Sequence, residues 1–140
     1  MVVENIELTT SQSAILHSEF IALQGAPFYL GVSVKIGGCV ALERLSNTVK
    51  EAADKIDVFR LGFVDAENEG HWQGVFYPTS QAPIEQVDFS DFPEPQVAVE
   101  RWIKKQLASR DPLSEYVVRV FAVKYDETCT GWFIKAHHAA

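Results

Sequence analysis

The chain has 140 residues, with 12 basic against 19 acidic side chains for a formal net charge of −7, and 47% hydrophobic residues including three Trp and nine Phe. That is enough apolar material to fill the core of one domain spanning residues 1–140, and it argues against intrinsic disorder. The negative sign argues against a nucleic-acid partner, since phosphate backbones are held by clustered Lys and Arg, and no apolar run approaches the roughly 20 residues that cross a bilayer.

Thr9 followed by Gln12 predicts a capping box that opens a first helix carrying Leu16, Phe20 and Leu23, with Gly25-Ala26-Pro27 as its break. Leu30, Val32, Val34 and Ile36 alternate with Gly31, Ser33 and Lys35 as a strand, ended by Gly37-Gly38. A second helix carries Leu42, Leu45, Val49, Ala52 and Ile56 at helical spacing. Val58 to Val64 and His71 to Tyr77 read as an antiparallel hairpin around the polar turn Asp65 to Gly70. A short strand, Ile84 to Phe89, precedes a third helix opened by Pro95, with Val99, Trp102, Ile103 and Leu107 inward. Asp111-Pro112 stops that helix. Two long strands, Tyr116 to Tyr125 and Cys129 to Ala136, finish the chain. The pattern predicts an α/β (α+β) fold, a mixed sheet with helices packed on it.

The last strand delivers two adjacent histidines, His137 and His138, to its tip. On an extended strand successive side chains face opposite sides. His138 would share a face with Ile134 and Ala136, and His137 one with Phe133 and Lys135. The two therefore do not suit one job together, such as binding a single metal. One is expected to carry chemistry and the other to be held in the fold. His17 and His71 have no ligand-like spacing to this pair, and no metal site is expected. The two cysteines, Cys39 and Cys129, are expected as reduced thiols of a cytoplasmic protein, because residues 1–5 lack the basic character of a signal peptide.

Three segments occur in a familiar order. Leu8-Thr9-Thr10-Ser11-Gln12 resembles the first core motif of condensation domains of non-ribosomal peptide synthetases. Lys55 to Phe63 is similar to their second motif, Arg-His-Glu-x-Leu-Arg-Thr-x-Phe, with Lys55, Ile56 and Leu61 in place of its usual Arg, His and Thr. Ala136-His137-His138-Ala139-Ala140 resembles the opening of the third, His-His-x-x-x-Asp-Gly, cut before its Asp and Gly. The phrases Trp72-Gln73-Gly74-Val75 and Val87-Asp88-Phe89-Ser90 are also similar to the family's.

The resemblance implies the N-terminal lobe of a chloramphenicol-acetyltransferase-like two-lobed fold. It implies amide-bond formation between a donor acyl or peptidyl thioester and an acceptor aminoacyl thioester, both on the phosphopantetheine arms of peptidyl carrier domains. No cofactor or metal would be bound directly. His138 is then the catalytic residue, His137 a packed structural partner, and Arg60 a support that pairs with the motif's aspartate two positions past Ala140. Related readings are a coenzyme A-dependent acyltransferase, an epimerisation domain, or a catalytically silent recruitment module. A lobe without its C-terminal partner is expected to expose a sticky apolar face and self-associate.

Overall fold

A computed structural model describes residues 3–22, 28–65, 67 and 70–140 of the chain. The elements run β1 (Glu4–Ile6), α1 (Thr10–Ile21), β2 (Tyr29–Gly37), α2 (Leu42–Ala53), a 3-10 turn (Asp57–Arg60), β3 (Leu61–Asp65), β4 (Trp72–Phe76), β5 (Glu85–Asp88), α3 (Pro95–Ala108), β6 (Val118–Lys124) and β7 (Cys129–His137). Leu23, the Gly25-Ala26-Pro27 break and most of the turn between β3 and β4 lie outside the described residues.

The strands divide between two sheets. One has three antiparallel strands in the order β1-β4-β3; the other has four, in the order β2-β7-β6-β5. The larger sheet is mixed: β5 runs parallel to β6, while β7 is antiparallel to both β6 and β2. Parallel neighbours need a crossover connection, and α3 lies between β5 and β6 in the chain.

Each face of the larger sheet carries its own core, as the alternation of side chains along a strand dictates. On one face Phe121, Val123, Tyr125 and Phe133 meet Val99, Trp102, Ile103 and Leu107 of α3. Trp102 stands edge-on to Phe89, Phe121 and Phe133, with ring centroids 5.5, 5.0 and 5.3 Å away. Edge-to-face aromatic packing of this kind adds about 0.5–1.5 kcal/mol per pair beyond the area buried. On the other face Val118, Ile134 and Ala136 pack with Leu16 of α1 and with Leu61 and Phe63 of the smaller sheet. Trp132 is tied to α2 by its indole N–H, which donates to the Leu45 carbonyl at 3.2 Å.

β7 is the centre of this arrangement. Its register with β2 runs unbroken from Tyr29↔His137 to Gly37↔Cys129. The backbones come so close near Gly131 that a Cβ there would lie 1.9 Å from the Val34 carbonyl oxygen, so only glycine fits. The strand ends at His137, and residues 138 and 139 form a turn.

The segment before β3 differs from the sequence expectation of one continuous strand from Val58. Residues 57–60 form a 3-10 turn, closed by Phe59 N–H to the Ile56 carbonyl at 3.1 Å. The reason is packing. Val58 and Phe59 are adjacent yet both lie against the core shared by α1 and the two sheets, and a strand would send them to opposite faces.

β2 is an edge strand whose Leu30, Val32 and Val34 remain 56%, 57% and 38% exposed on one face. An uncovered apolar row on a sheet edge favours association. Sedimentation of the 140-residue chain should show dimers or larger species that weaken with Val32→Ser. A strictly monomeric mass at high concentration for both forms would contradict this.

Candidate functional site

The site is built where α1, from Gln12 to Glu19, meets the end of β7. The capping box is present in full: Thr9 Oγ1 accepts from the Gln12 N–H at 3.2 Å, and Gln12 Oε1 accepts from the Thr9 N–H at 3.0 Å. Gln12 does more than cap. Its Nε2 donates to the Ala139 carbonyl at 3.0 Å, tying the first turn of α1 to the histidine segment 127 residues away.

The two histidines have opposite environments. His137 is 1% exposed, on the face that also buries Phe133 and Lys135, each 1% exposed. Both of its ring nitrogens are engaged. Nδ1 accepts from the Ala139 N–H at 3.2 Å, which leaves the ring proton on Nε2, and Nε2 donates to Glu19 Oε2. The ring stands edge-on to Tyr29, with centroids 5.3 Å apart, and to Phe63 at 6.4 Å. The imidazole is thereby fixed in tautomer and orientation.

His138 is exposed and, among the described residues, anchored through its backbone alone, whose N–H donates to the Phe28 carbonyl at 2.7 Å. Its side chain borders an open groove of about 500 Å³ between α1 and β2, lined by Ala14, Ile15, Ser18, Phe28, Tyr29 and Leu30. The wall is mainly apolar, with the Ser18 hydroxyl committed to the Ala14 carbonyl at 2.8 Å. The arrangement supplies one unencumbered imidazole beside a surface able to shed water around a bound group.

Beneath the site lies a partly buried set of ion pairs that the sequence does not announce. Glu19, 7% exposed, also binds Arg110 through Oε1 at 2.9 Å. Lys135 Nζ is held by Asp111 Oδ2 at 2.9 Å and by the Ser109 carbonyl at 2.8 Å, and it lies 4.1 Å above the Tyr29 ring. Asp111 in turn meets Arg119 at 3.3 Å, and Arg119 meets Glu85 at 2.8 Å. Tyr29 Oη accepts the Asp111 N–H at 2.9 Å. Burial pushes the Tyr29 phenol well above its ordinary range, so it stays protonated. Burial also draws the Lys135 ammonium downward, against the pull of Asp111.

Arg60 ends the 3-10 turn rather than standing within an apolar strand as the sequence suggests. Its Nη2 pairs with Asp57 at 2.5 Å and its Nη1 donates to the Tyr77 carbonyl at 3.2 Å. Its guanidinium lies 5.9 Å from the Phe76 ring centroid. Nε is buried with no hydrogen-bond partner among the described residues.

Of the other histidines, His71 bonds Glu67 at 3.2 Å and His17 is exposed on α1. Among the described residues no group of three or more His, Cys, Asp or Glu is placed to hold a metal ion, and no helix is long and apolar enough to cross a membrane. Cys39 and Cys129 are free thiols.

Gln12 was legible as a cap but not as a tether. Glu19, Lys135 and Asp111 were missed as a group. One signal was available for Glu19: it lies three residues after Leu16, on the stripe of α1 that faces inward, where a carboxylate needs a partner.

A family model described as "Condensation domain" matches residues 2–140. No curated protein matches the sequence. Among solved structures the chain is similar to the first condensation domain of the calcium-dependent antibiotic synthetase in complex with a substrate analogue. There the TM-score is 0.82 at 18% identity, covering 96% of this chain and 33% of that one. It is also similar to the starter condensation domain of rhizomide synthetase RzmA, with TM-score 0.82 at 16% identity, covering 97% of this chain and 34% of that one. The chain thus spans about a third of the length of these structures. At such identities the likeness shows the fold.

Glu19 generates a graded test. Glu19→Ala strands the buried His137 N–H and should lower unfolding free energy by about 1–3 kcal/mol or more. Glu19→Gln retains an acceptor for that N–H and loses only the ion pair with half-exposed Arg110, so it should cost clearly less. Urea denaturation of the two variants checks the order; equal stability of both with the parent chain would contradict the assignment.

Proposed function

We propose, for a chain that belongs to the condensation-domain family, that it forms the histidine-bearing lobe of a domain that joins two carrier-bound thioesters through an amide bond. The observation that supports this best is the division of labour at the end of β7. His137 is packed and doubly hydrogen-bonded, while His138 is presented bare at the mouth of a mostly apolar groove.

In this reading His138 acts on the acceptor amine. The amine nitrogen attacks the donor thioester carbonyl, a C–N bond forms, and the tetrahedral intermediate collapses as the C–S bond breaks and the thiol leaves. A neutral imidazole accepts the proton the amine sheds, or stabilises the cationic intermediate. His137 is a positioning residue, and Glu19 and Gln12 hold the turn that aims His138. Arg60 would support the site from the 3-10 turn that precedes β3. Its buried, unpartnered Nε leaves room for one more acceptor, and an aspartate two positions past Ala140 is the residue we assign to it.

The substrates would arrive on phosphopantetheine arms of peptidyl carrier domains, with no directly bound cofactor or metal. Because the chain spans about a third of the matched structures, the 140-residue piece alone should be inactive. Orientation of two reactants is worth about 7–11 kcal/mol of a barrier, and an open half-site forfeits most of it.

The test uses a complete domain containing this lobe and loaded carrier proteins. His138→Ala should lower the condensation rate about 10²–10⁴-fold with an unchanged melting temperature. Arg60→Ala should instead lower the melting temperature and lose activity as a consequence. Full activity of the His138 variant, or measurable condensation by the isolated 140 residues, would overturn the proposal. Equal use of a free coenzyme A thioester and a carrier-bound donor would favour an acyltransferase.

A further inference from the structure

Phe28 and Tyr29, at the entry to β2, touch both histidines. The Phe28 carbonyl accepts the His138 N–H at 2.7 Å. That carbonyl belongs to the peptide unit joined to the Tyr29 nitrogen, so whatever fixes Tyr29 also fixes the carbonyl through a planar bond. Tyr29 stands opposite His137 in the β2–β7 register, and the two rings meet edge-on at 5.3 Å. The same ring carries the Lys135 ammonium 4.1 Å from its centroid. At the far end of the ring the hydroxyl accepts the part-buried Asp111 N–H at 2.9 Å. Asp111 is itself held through its carboxylate, by Lys135 at 2.9 Å and by Arg119 at 3.3 Å. Among the described residues the Asp111 N–H has no other acceptor. One phenol thus ties the connection between α3 and β6 to the residues that hold the histidine turn.

We propose that Tyr29 is a positioning residue for His138, and that its hydroxyl does this by anchoring the entry to β2 on Asp111. The proposal rests on the reading of His138 as the catalytic imidazole. The β2–β7 ladder holds Tyr29 along the sheet, but Tyr29↔His137 is the last pair of that ladder, and the ends of elements are where local opening is easiest. The hydroxyl supplies a fixed point at that end. A Phe ring would fill the same space against His137 and Lys135, yet it would leave the Asp111 N–H without its acceptor, and an unpaired buried donor is unfavourable. Loosening there passes directly to the catalytic turn, because among the described residues His138 is anchored through its backbone to the Phe28 carbonyl alone. A catalytic group misplaced by about 1 Å can cost about 10²-fold in rate.

Two readouts test this. The first is native-state amide hydrogen exchange of the 140-residue chain. The Asp111 and His138 N–H groups should open together, with protection equal to within about threefold. In Tyr29→Phe the His138 N–H should exchange about tenfold faster, while the amides of β3 and β4 keep their rates. The second is turnover by a complete domain with loaded carrier proteins. There Tyr29→Phe should lower kcat about ten- to a hundredfold and leave KM for the carrier-bound substrates unchanged, since the ring that lines the groove is retained. Unequal protection of Asp111 and His138 in the unaltered chain would overturn the proposal, and that comparison needs no variant to fold. So would an unchanged His138 exchange rate in Tyr29→Phe, or full kcat of Tyr29→Phe beside an inactive His138→Ala. The expected exchange beside an active His138→Ala would sink the condensation reading and keep Tyr29 as the anchor of the His138 backbone.

Discussion

The hydrogen bond between Glu19 and His137 is the contact on which the functional end of this lobe depends. It joins α1 to the tip of β7 inside the core, where an unpaired carboxylate or imidazole N–H would be costly. The Ala139 N–H closes the other side of the ring, and Gln12 holds the Ala139 carbonyl. Four residues from the two ends of the chain thus define one turn. His137 is fully engaged inside it, and the strand ends there, so His138, the first residue of the turn, lies outside and faces the groove. A free imidazole beside a fixed one is a consequence of packing, and the chemistry proposed for it needs only that geometry.

The partly buried set of ion pairs extends the same logic under the site. Tyr29 links it to the histidines, since its ring meets His137 and Lys135 while its hydroxyl meets Asp111. Charges in such places rarely add net stability over apolar residues of the same volume, yet removing one partner is strongly destabilising. They hold the segment from Ser109 to Asp111 against β7, with the Lys135 ammonium between them.

Much of this was readable in advance, and what was not has identifiable causes. The capping box, α3 with its inward Val99, Trp102, Ile103 and Leu107, and the two faces of β7 all follow from local pattern, because periodicity and caps are properties of neighbouring residues. The division into two sheets did not follow, and β1 went unread because three residues, Glu4-Asn5-Ile6, carry too little alternation. The 3-10 turn before β3 has the composition of a strand and is bent by core packing of Val58 and Phe59. At the site, the histidine pair stood out by position and by its resemblance to a known motif. Glu19 is 118 residues from His137, and no local pattern pairs them. Arg60 was visible as a charge among apolar residues, but its pairing with Asp57 depended on the turn.

The most direct measurement is imidazole 15N NMR of the chain, which reads the tautomer of each histidine. The account predicts that His137 is locked as the Nε2–H form, with an unprotonated Nδ1 and a ring proton slow to exchange with solvent. His138 should show a ring proton in rapid exchange. A His137 found as the Nδ1–H form, or averaging between tautomers like His138, would contradict the claim that burial fixes one histidine so that the other is free to act.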